Sequence, residues 1–561
     1  MASTNSTKSG SSKKARAAKT HPAEIDQLVT GPSRGGVPGE NIPERVWQFG
    51  VIGIALIATI LRLYDLDLVP LHHDEGVNGN FLVRLVREGM YRYDPENYHG
   101  PTLYYFSAVI PWITKLLFGS AARDHYGVTT FTIRLIPVLF GLGTIGLIFL
   151  LRRKLGTIAT LAAALMLAIS PGAVYLSRYY IHETLFVFFT LGIVVACVWF
   201  YEKRNPAYLI PAGASLALLL ATKETAMISA GVLIIALALT LVYARFNRKT
   251  SVYSPAKRSK SRAPASRVRQ FIDEMGGTSA VARNLVVALI VSLALYLLFY
   301  SSFFRNPTGI YDSLQTFAVW TKTGKTAHVH PPHMYVVWLM RQEGPILFLA
   351  AIGAVFAGLK PKNSLALFCA LWAFGLIAAY SLIPYKTPWL VLNFIVPLTL
   401  IAGYAVQAIY EMDRGQLRLV STILLVAVGV AMFQTIDLNF VNYDNDNPKY
   451  VYVYAHTTRP TLDLVKQIEQ IAKEESGDLT GISVVSPDYW PLPWYLRNFT
   501  RTGYFGRMAP STEPLIIANE NQKADMEASF GSLYEQVQST APGGTFELRP
   551  GVKLLLYRRR T

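Results

Sequence analysis

Long uncharged apolar runs, separated by short polar connections, set the first picture. They fall at approximately 48–64, 132–151, 156–175, 184–201, 207–222, 224–244, 284–304, 344–359, 364–383, 389–409 and 418–436. Runs of this length read as membrane-spanning helices. One further stretch, residues 101–118 (PTLYYFSAVIPWITKLLF), is amphipathic and reads as a helix lying at the membrane face. Beyond 437 the pattern changes. A helical period runs over 461–475, and short β-type runs follow at 482–486, 515–518 and 553–557. The expected fold is therefore an all-α polytopic membrane protein of about eleven spans (45–437), with face-lying juxtamembrane helices, followed by a small α/β domain (438–561).

Composition sharpens this. Hydrophobic residues make up 52% of 561 and charged residues 16%, with a mean hydropathy of +0.29. A soluble protein carries about 25% charged residues. The net charge of +17 sits mainly in short connections, with no aromatic-interleaved basic platform, which argues against nucleic acid as a partner. Cys197 and Cys369 lie inside apolar runs and read as small core residues. Residues 1–44 read as a disordered tail.

Charge also orients the chain. Arg152–Lys154, Glu202–Arg204, the 245–283 loop, Lys360 with Lys362, and Arg414 with Arg418 fall on one side. The 245–283 loop holds ten Lys/Arg against two Asp/Glu. That side is expected to be cytoplasmic, together with the N-terminus. The 65–131 loop and the C-terminal domain then lie outside, in a multi-pass protein of the cell membrane. Were 101–118 a span, the basic 245–283 loop would fall outside.

The candidate chemistry gathers on the outer side. HHDEG at 72–76 gives Asp74 and Glu75 where the chain leaves the bilayer. Low solvation there favours general-base duty; a solvated surface pair is the bland alternative. SRYYIHE at 177–183 adds Arg178, His182 and Glu183, either part of an acid/base constellation or a helix-end Arg178–Glu183 salt bridge. Lys223, Arg341 and Lys386 (beside Tyr385) suit a lipid phosphate, against simple snorkelling. Oxygen ligands at Asp74 and Glu183 would suit a divalent ion. His328, His330 and His333 lie in a Pro-Pro loop that reads as a substrate cover rather than a zinc site. Tyr91, Tyr93, Tyr98, Tyr104 and Tyr105 read as an interfacial aromatic belt.

The order DEG, YRYDP, YHGPTLYY, RRK, SRYYIHE and YKTPWL resembles the membrane-embedded glycosyltransferases of the GT-C superfamily over residues 45–440. The protein O-mannosyltransferases and the lipid A aminoarabinose transferase are similar. More narrowly, the chain resembles the flippase-activity-associated family linked to archaeal N-glycosylation. The resemblance implies a glycosyltransferase (EC 2.4 class) that takes sugar from a polyprenyl-phosphate donor at the extracytoplasmic face. The acceptor would be a protein, lipid or glycan. Asp74 matches the superfamily's first-loop catalytic acid and serves as general base in an inverting transfer, with Glu75 as its companion. Glu183 falls where relatives carry a second acid after an arginine. His99, opening HGP, matches the His of an HPP motif, so His99 joins Arg178, His182, Lys223, Arg341, Tyr385 and Lys386 as substrate-binding. Metal use varies across the superfamily and stays open. The competing reading is a non-catalytic accessory or carrier for lipid-linked sugar translocation.

Overall fold

The structure is a computed structural model that describes residues 42–560, apart from 98, 120–126, 251–266, 327, 360–362, 413–416 and 540–541. The tail 1–41, Tyr98, Lys360, Lys362, Arg414 and the middle of the basic loop lie outside the described residues.

The chain forms helices α1 (Glu44–Leu63), α2 (His73–Glu88), α3 (Thr102–Phe118), α4 (Thr130–Phe149), α5 (Thr157–Ala168), α6 (Pro171–Ser177), α7 (Glu183–Lys203), α8 (Leu209–Leu220) and α9 (Ala226–Thr250), the polar α2 lying outside the apolar runs. They continue with α10 (Gly277–Tyr300), α11 (Met334–Gln342), α12 (Gly344–Leu359), α13 (Ser364–Leu382), α14 (Leu392–Met412) and α15 (Leu417–Ile436). Among the described residues eight helices are long and apolar enough to cross a membrane, and ten if each of two bent pairs is one span. The run at 207–222 becomes an apolar helix of fewer than 18 residues, so it fails that length test on its own. The amphipathic stretch 101–118 is the single helix α3, with Leu103, Tyr104 and Ala108 buried and Leu116, Leu117 and Phe118 exposed.

The two bends meet inside the bundle. The pair α5/α6 turns by 59° and α11/α12 by 112°. A bend frees backbone groups that lipid cannot satisfy, so protein must do it. Arg62, fully buried, donates to the carbonyls of Ala168 (2.9 Å) and Leu167 (3.1 Å) at the first bend. Glu343, at the second bend, accepts from the Gly172 amide (2.8 Å) and Ser170 Oγ (2.9 Å) at the first. Helix α14 runs through the centre, with 94% of its apolar window buried.

After α15 the chain forms α16 (Pro460–Glu474) and a sheet of β1 (Ile482–Val484), β2 (Thr502–Tyr504), β3 (Leu515–Asn519), β4 (Tyr534–Val537), β5 (Phe546–Arg549) and β6 (Val552–Arg559). The order is β2-β1-β3-β6-β4, with β5 also pairing β6. The first three strands are parallel and the rest antiparallel. Leu464 and Ile468 of α16 pack with Ile482, Leu515 and Leu554 from the sheet. The runs read from sequence are β1, β3 and β6; the edge strands β2, β4 and β5 carry shorter or mixed patterns that do not stand out.

This domain is seated on α2. A short helix α17 (Leu492–Tyr495) follows β1. The Leu71 amide donates to Tyr495 Oη (2.8 Å), and Arg497 donates to the Val128 carbonyl (3.1 Å). Gly79 allows the contact: a Cβ there would come within 2.5 Å of the Trp494 ring. The 65–131 segment and the C-terminal domain therefore share one face of the bundle.

Candidate active site

The site starts with the capping geometry of α2. His72 Nδ1 accepts from the Asp74 amide (3.1 Å), while the His72 amide donates to Glu75 Oε2 (3.0 Å), a reciprocal cap. Successive helical residues point about 100° apart. The two adjacent acids therefore diverge. Glu75 turns inward, with no exposed surface, and is held by Arg134 through Nε–Oε1 (2.8 Å) and Nη2–Oε2 (2.7 Å). The Tyr180 amide also donates to it, at 2.8 Å. Asp74 turns the other way, its side chain 39% exposed, with His72 Nδ1 3.9 Å away.

Asp74 opens into a cavity of about 590 Å³. His99, Glu183, Lys223 and Tyr385 line the same cavity, as do Glu96, Glu224, His328, Tyr380, Trp389, Tyr454 and Arg549. Except for Tyr454 and Arg549, from the post-span segment and the sheet, these residues stand near helix ends or in interhelical connectors. That is where the alternation of spans places one membrane face.

In the same lining Glu183, the first residue of α7, pairs with Lys223 Nζ at 2.5 Å. Burial alone would depress the Lys223 pKa; Glu183 and Glu224 outweigh it and raise the value, so the ammonium is kept. Glu224 in turn receives His99 Nδ1 at 3.2 Å. His99 and Lys223 form an isolated antiparallel bridge, and the Gly100 amide donates to the Thr222 carbonyl (3.0 Å). A Cβ at Gly100 would fall 2.0 Å from the Ala221 carbonyl oxygen, which gives HGP its glycine.

Several residues expected at the site do not line the cavity. Glu75 is the core partner of Arg134, so its oxygens are not offered to the cavity. Arg178 neither binds at the cavity nor pairs with Glu183. It donates to the carbonyls of Tyr64 (2.6 Å) and Asp65 (2.7 Å) and closes the C-terminal end of α1. His182 is buried behind the wall with Nε2 on the Gly100 carbonyl (3.0 Å). Lys386 is 1% exposed and turns its ammonium onto the Ile383 carbonyl. Arg341 is on the surface, donating to the Pro448 carbonyl (3.1 Å). Tyr91, Tyr93, Tyr104 and Tyr105 are core residues, not a belt.

For a divalent ion at Asp74 and Glu183, the described residues place no third protein ligand. Among the described residues no group of three His, Cys, Asp or Glu is placed to hold one. Glu183 already faces an ammonium. The donor set present does not make a protein-held metal cage there.

Two buried imidazoles carry a pH prediction. Burial, with His99 and Lys223, holds His182 well below its ordinary 6.5. Burial, with His72 and Arg134, does the same to His456, whose Nε2 meets Tyr175 Oη at 2.8 Å. Below 6.5 the unfolded chain takes up protons that the folded chain refuses, so stability falls as pH drops through that value. Thermal unfolding of the full chain in nanodiscs should show Tm declining from neutral toward about pH 5. His456→Gln should flatten that decline; an unchanged slope would refute the assignment.

Residues 107–256 match the family model described as dolichyl-phosphate-mannose-protein mannosyltransferase. No curated protein matches the chain in sequence. Among solved structures, ArnT from Cupriavidus metallidurans bound to undecaprenyl phosphate superposes with a TM-score of 0.57 at 14% identity, covering 90% of this chain and 97% of that one. Its apo state gives 0.56 at 14%, over 91% and 98%. The chain has the GT-C fold. The archaeal oligosaccharyltransferase AglB from Archaeoglobus fulgidus, in complex with an inhibitory peptide and a dolichol-phosphate, matches with a TM-score of 0.48 at 13% identity, over 90% of this chain and 74% of that one. The cavity is also lined by Glu96, Glu224, Tyr380, Tyr454 and Arg549, which the sequence reading did not single out. Glu224 adjoins Lys223 and was within reach; Arg549 sits in a strand turn of the other domain and gives no local signal.

Proposed function

We propose that the protein transfers a sugar from a polyprenyl-phosphate donor to an acceptor hydroxyl or amide at the membrane face that bears the cavity. That face is extracytoplasmic by the charge argument. The observation that carries this reading is that an accessible carboxylate, Asp74, and the Lys223–Glu183 pair line one and the same cavity. The ArnT structure of the same fold was solved with undecaprenyl phosphate, which supports the donor class.

In the mechanism, Lys223 takes the donor phosphate, and Glu183 and Glu224 keep that ammonium charged and aimed. Asp74 accepts the proton of the acceptor. The acceptor atom forms its bond to the anomeric carbon as the carbon–oxygen bond to phosphate breaks, and polyprenyl phosphate departs. A single displacement inverts the anomeric centre. Lys223 offsets the charge that grows on the leaving phosphate in a poorly solvated site. Pure protein in nanodiscs, given a polyprenyl-phosphate sugar together with a panel of hydroxyl and amide acceptors, should release polyprenyl phosphate as the acceptor gains the sugar. A preparation that binds the donor and never releases it is a carrier.

Lys223 has its own test. Lys223→Met combined with Glu183→Gln leaves no charge at Glu183, and Glu224 keeps its contact with His99 Nδ1 at 3.2 Å, so the fold should survive. Its affinity for undecaprenyl phosphate should drop about ten-fold or more, the worth of one charge-assisted contact. Binding of the uncharged polyprenol should not move. Equal affinity for the phosphate in both proteins would remove Lys223 from the donor site.

A further inference from the structure

The C-terminal domain does more than cover the bundle. Tyr454 and Ala455, on the segment that leaves the last span, line the cavity together with Arg549 at the end of β5. The two are tied to each other: the Thr458 amide donates to the Leu548 carbonyl (3.0 Å) and Thr458 Oγ1 to the Glu547 carbonyl (2.6 Å). The position of β5 over the cavity is thus set by the same segment that forms the cavity wall. Arg549 is paired with Asp488, from the loop after β1. Trp490, two residues on, lies against His73, ring centroids 6.0 Å apart, and Tyr489 lies beside it at 5.8 Å. His73 is the residue before Asp74. His73 lines the cavity together with Asp74 and Arg549, so Trp490, packed on its ring, stands next to the lining beside the proposed base.

The chemistry of the corner is specific. A guanidinium paired with a carboxylate is neutral as a unit, yet offers both N–H donors and oxygen acceptors in fixed directions. Sugar hydroxyls are both donors and acceptors, so they match such a unit. A half-buried indole beside it supplies an apolar face for the C–H side of a pyranose ring. A peptide backbone gains less here, since it needs no cluster of alternating donors and acceptors around one aromatic plate.

We propose that the C-terminal domain builds the acceptor half of the cavity, where Arg549, steered by Asp488, and Trp490 hold a carbohydrate acceptor beside Asp74. This rests on the reading of the cavity as a transferase site. It gives the domain a role in acceptor choice, with Arg549 contacting the acceptor and Asp488 acting as its positioning residue.

The test uses the full chain in nanodiscs. Methyl glycosides of hexoses and N-acetylhexosamines serve as probes, read by saturation-transfer NMR. Undecaprenyl phosphate affinity is measured alongside. The wild type should bind at least one glycoside. Arg549→Met and Trp490→Ala should each weaken that binding about ten-fold, Asp488→Asn by less, with undecaprenyl phosphate affinity unchanged in all three. Should Arg549→Met not fold, Arg549→Lys keeps the charge and loses the planar fork, and the same loss is expected of it. Glycoside binding that is absent from the wild type, or equal in the Arg549 and Asp488 variants, overturns the proposal. Capture of a Ser/Thr peptide in place of any glycoside overturns it too. Failure of the wild type to bind undecaprenyl phosphate strikes the donor reading instead, so the two failures are told apart.

Discussion

Asp74→Asn should abolish sugar transfer while leaving the folded protein intact. The carboxylate is 39% exposed and faces the cavity, with His72 Nδ1 3.9 Å away. Its own amide makes the link to His72 that caps the helix, so the side-chain change leaves that link in place. Asn has the same shape and strands no buried charge, hence Tm should hold. The loss falls on proton transfer. A positioned general base contributes about 10²–10⁴-fold to the rate, and transfer measured at saturating donor should fall by that order. Undecaprenyl phosphate affinity should be unchanged, because the phosphate is assigned to Lys223 and not to Asp74. Residual activity within a few-fold of wild type, with normal expression, would mean that another group takes the proton, and Glu96 on the same cavity would be the next to replace.

The membrane architecture was readable because long apolar runs have one physical solution in lipid, a helix that satisfies its own backbone. The bent pairs were less readable. The break within 156–175 has a local cause, Ser170 as cap and Pro171 at the first position of the second helix; what is not local is that Arg62 and Glu343, far away in sequence, meet the backbone groups it frees. At the site, motif reading found the right segments but not which member of each segment faces the cavity. Asp74 and Glu75 look equivalent in HHDEG; helical geometry and Arg134 separate them. Lys386 in a Pro-flanked connector looks poised for phosphate, yet its ammonium is taken by the carbonyl three residues earlier. Arg178 is likewise absorbed by carbonyls at the end of α1. Buried cations with backbone partners and cations offered to a ligand have the same sequence signature, since both stand at span ends. Arg549 was illegible for another reason: its place depends on the β5–β6 register and on how the sheet sits over α2.

Glu75 tests that separation of neighbours directly. Glu75→Gln should destabilise the protein by about 3–5 kcal/mol, the cost of breaking a buried pair from one side. Arg134 would keep its charge at 1% exposure with its carboxylate partner gone. Its remaining bonds, to the carbonyls of Leu66 (2.9 Å) and Val69 (2.8 Å), carry no compensating charge. These carbonyls lie in the turn that leads from α1 into α2, so the damage should spread to the helix that carries Asp74. The double variant Glu75→Gln/Arg134→Met should recover most of the loss, because no charge is then stranded, but not all of it, since the two carbonyl bonds are worth about 1 kcal/mol each. Thermal unfolding and proteolysis of the single and double variants in nanodiscs measure this. The decisive comparison is with transfer per folded molecule. A structural Glu75 lowers Tm and the amount of active protein but spares the turnover of what remains folded. A Glu75 that shares in the chemistry would show the reverse, a Tm near wild type and a turnover as low as that of Asp74→Asn.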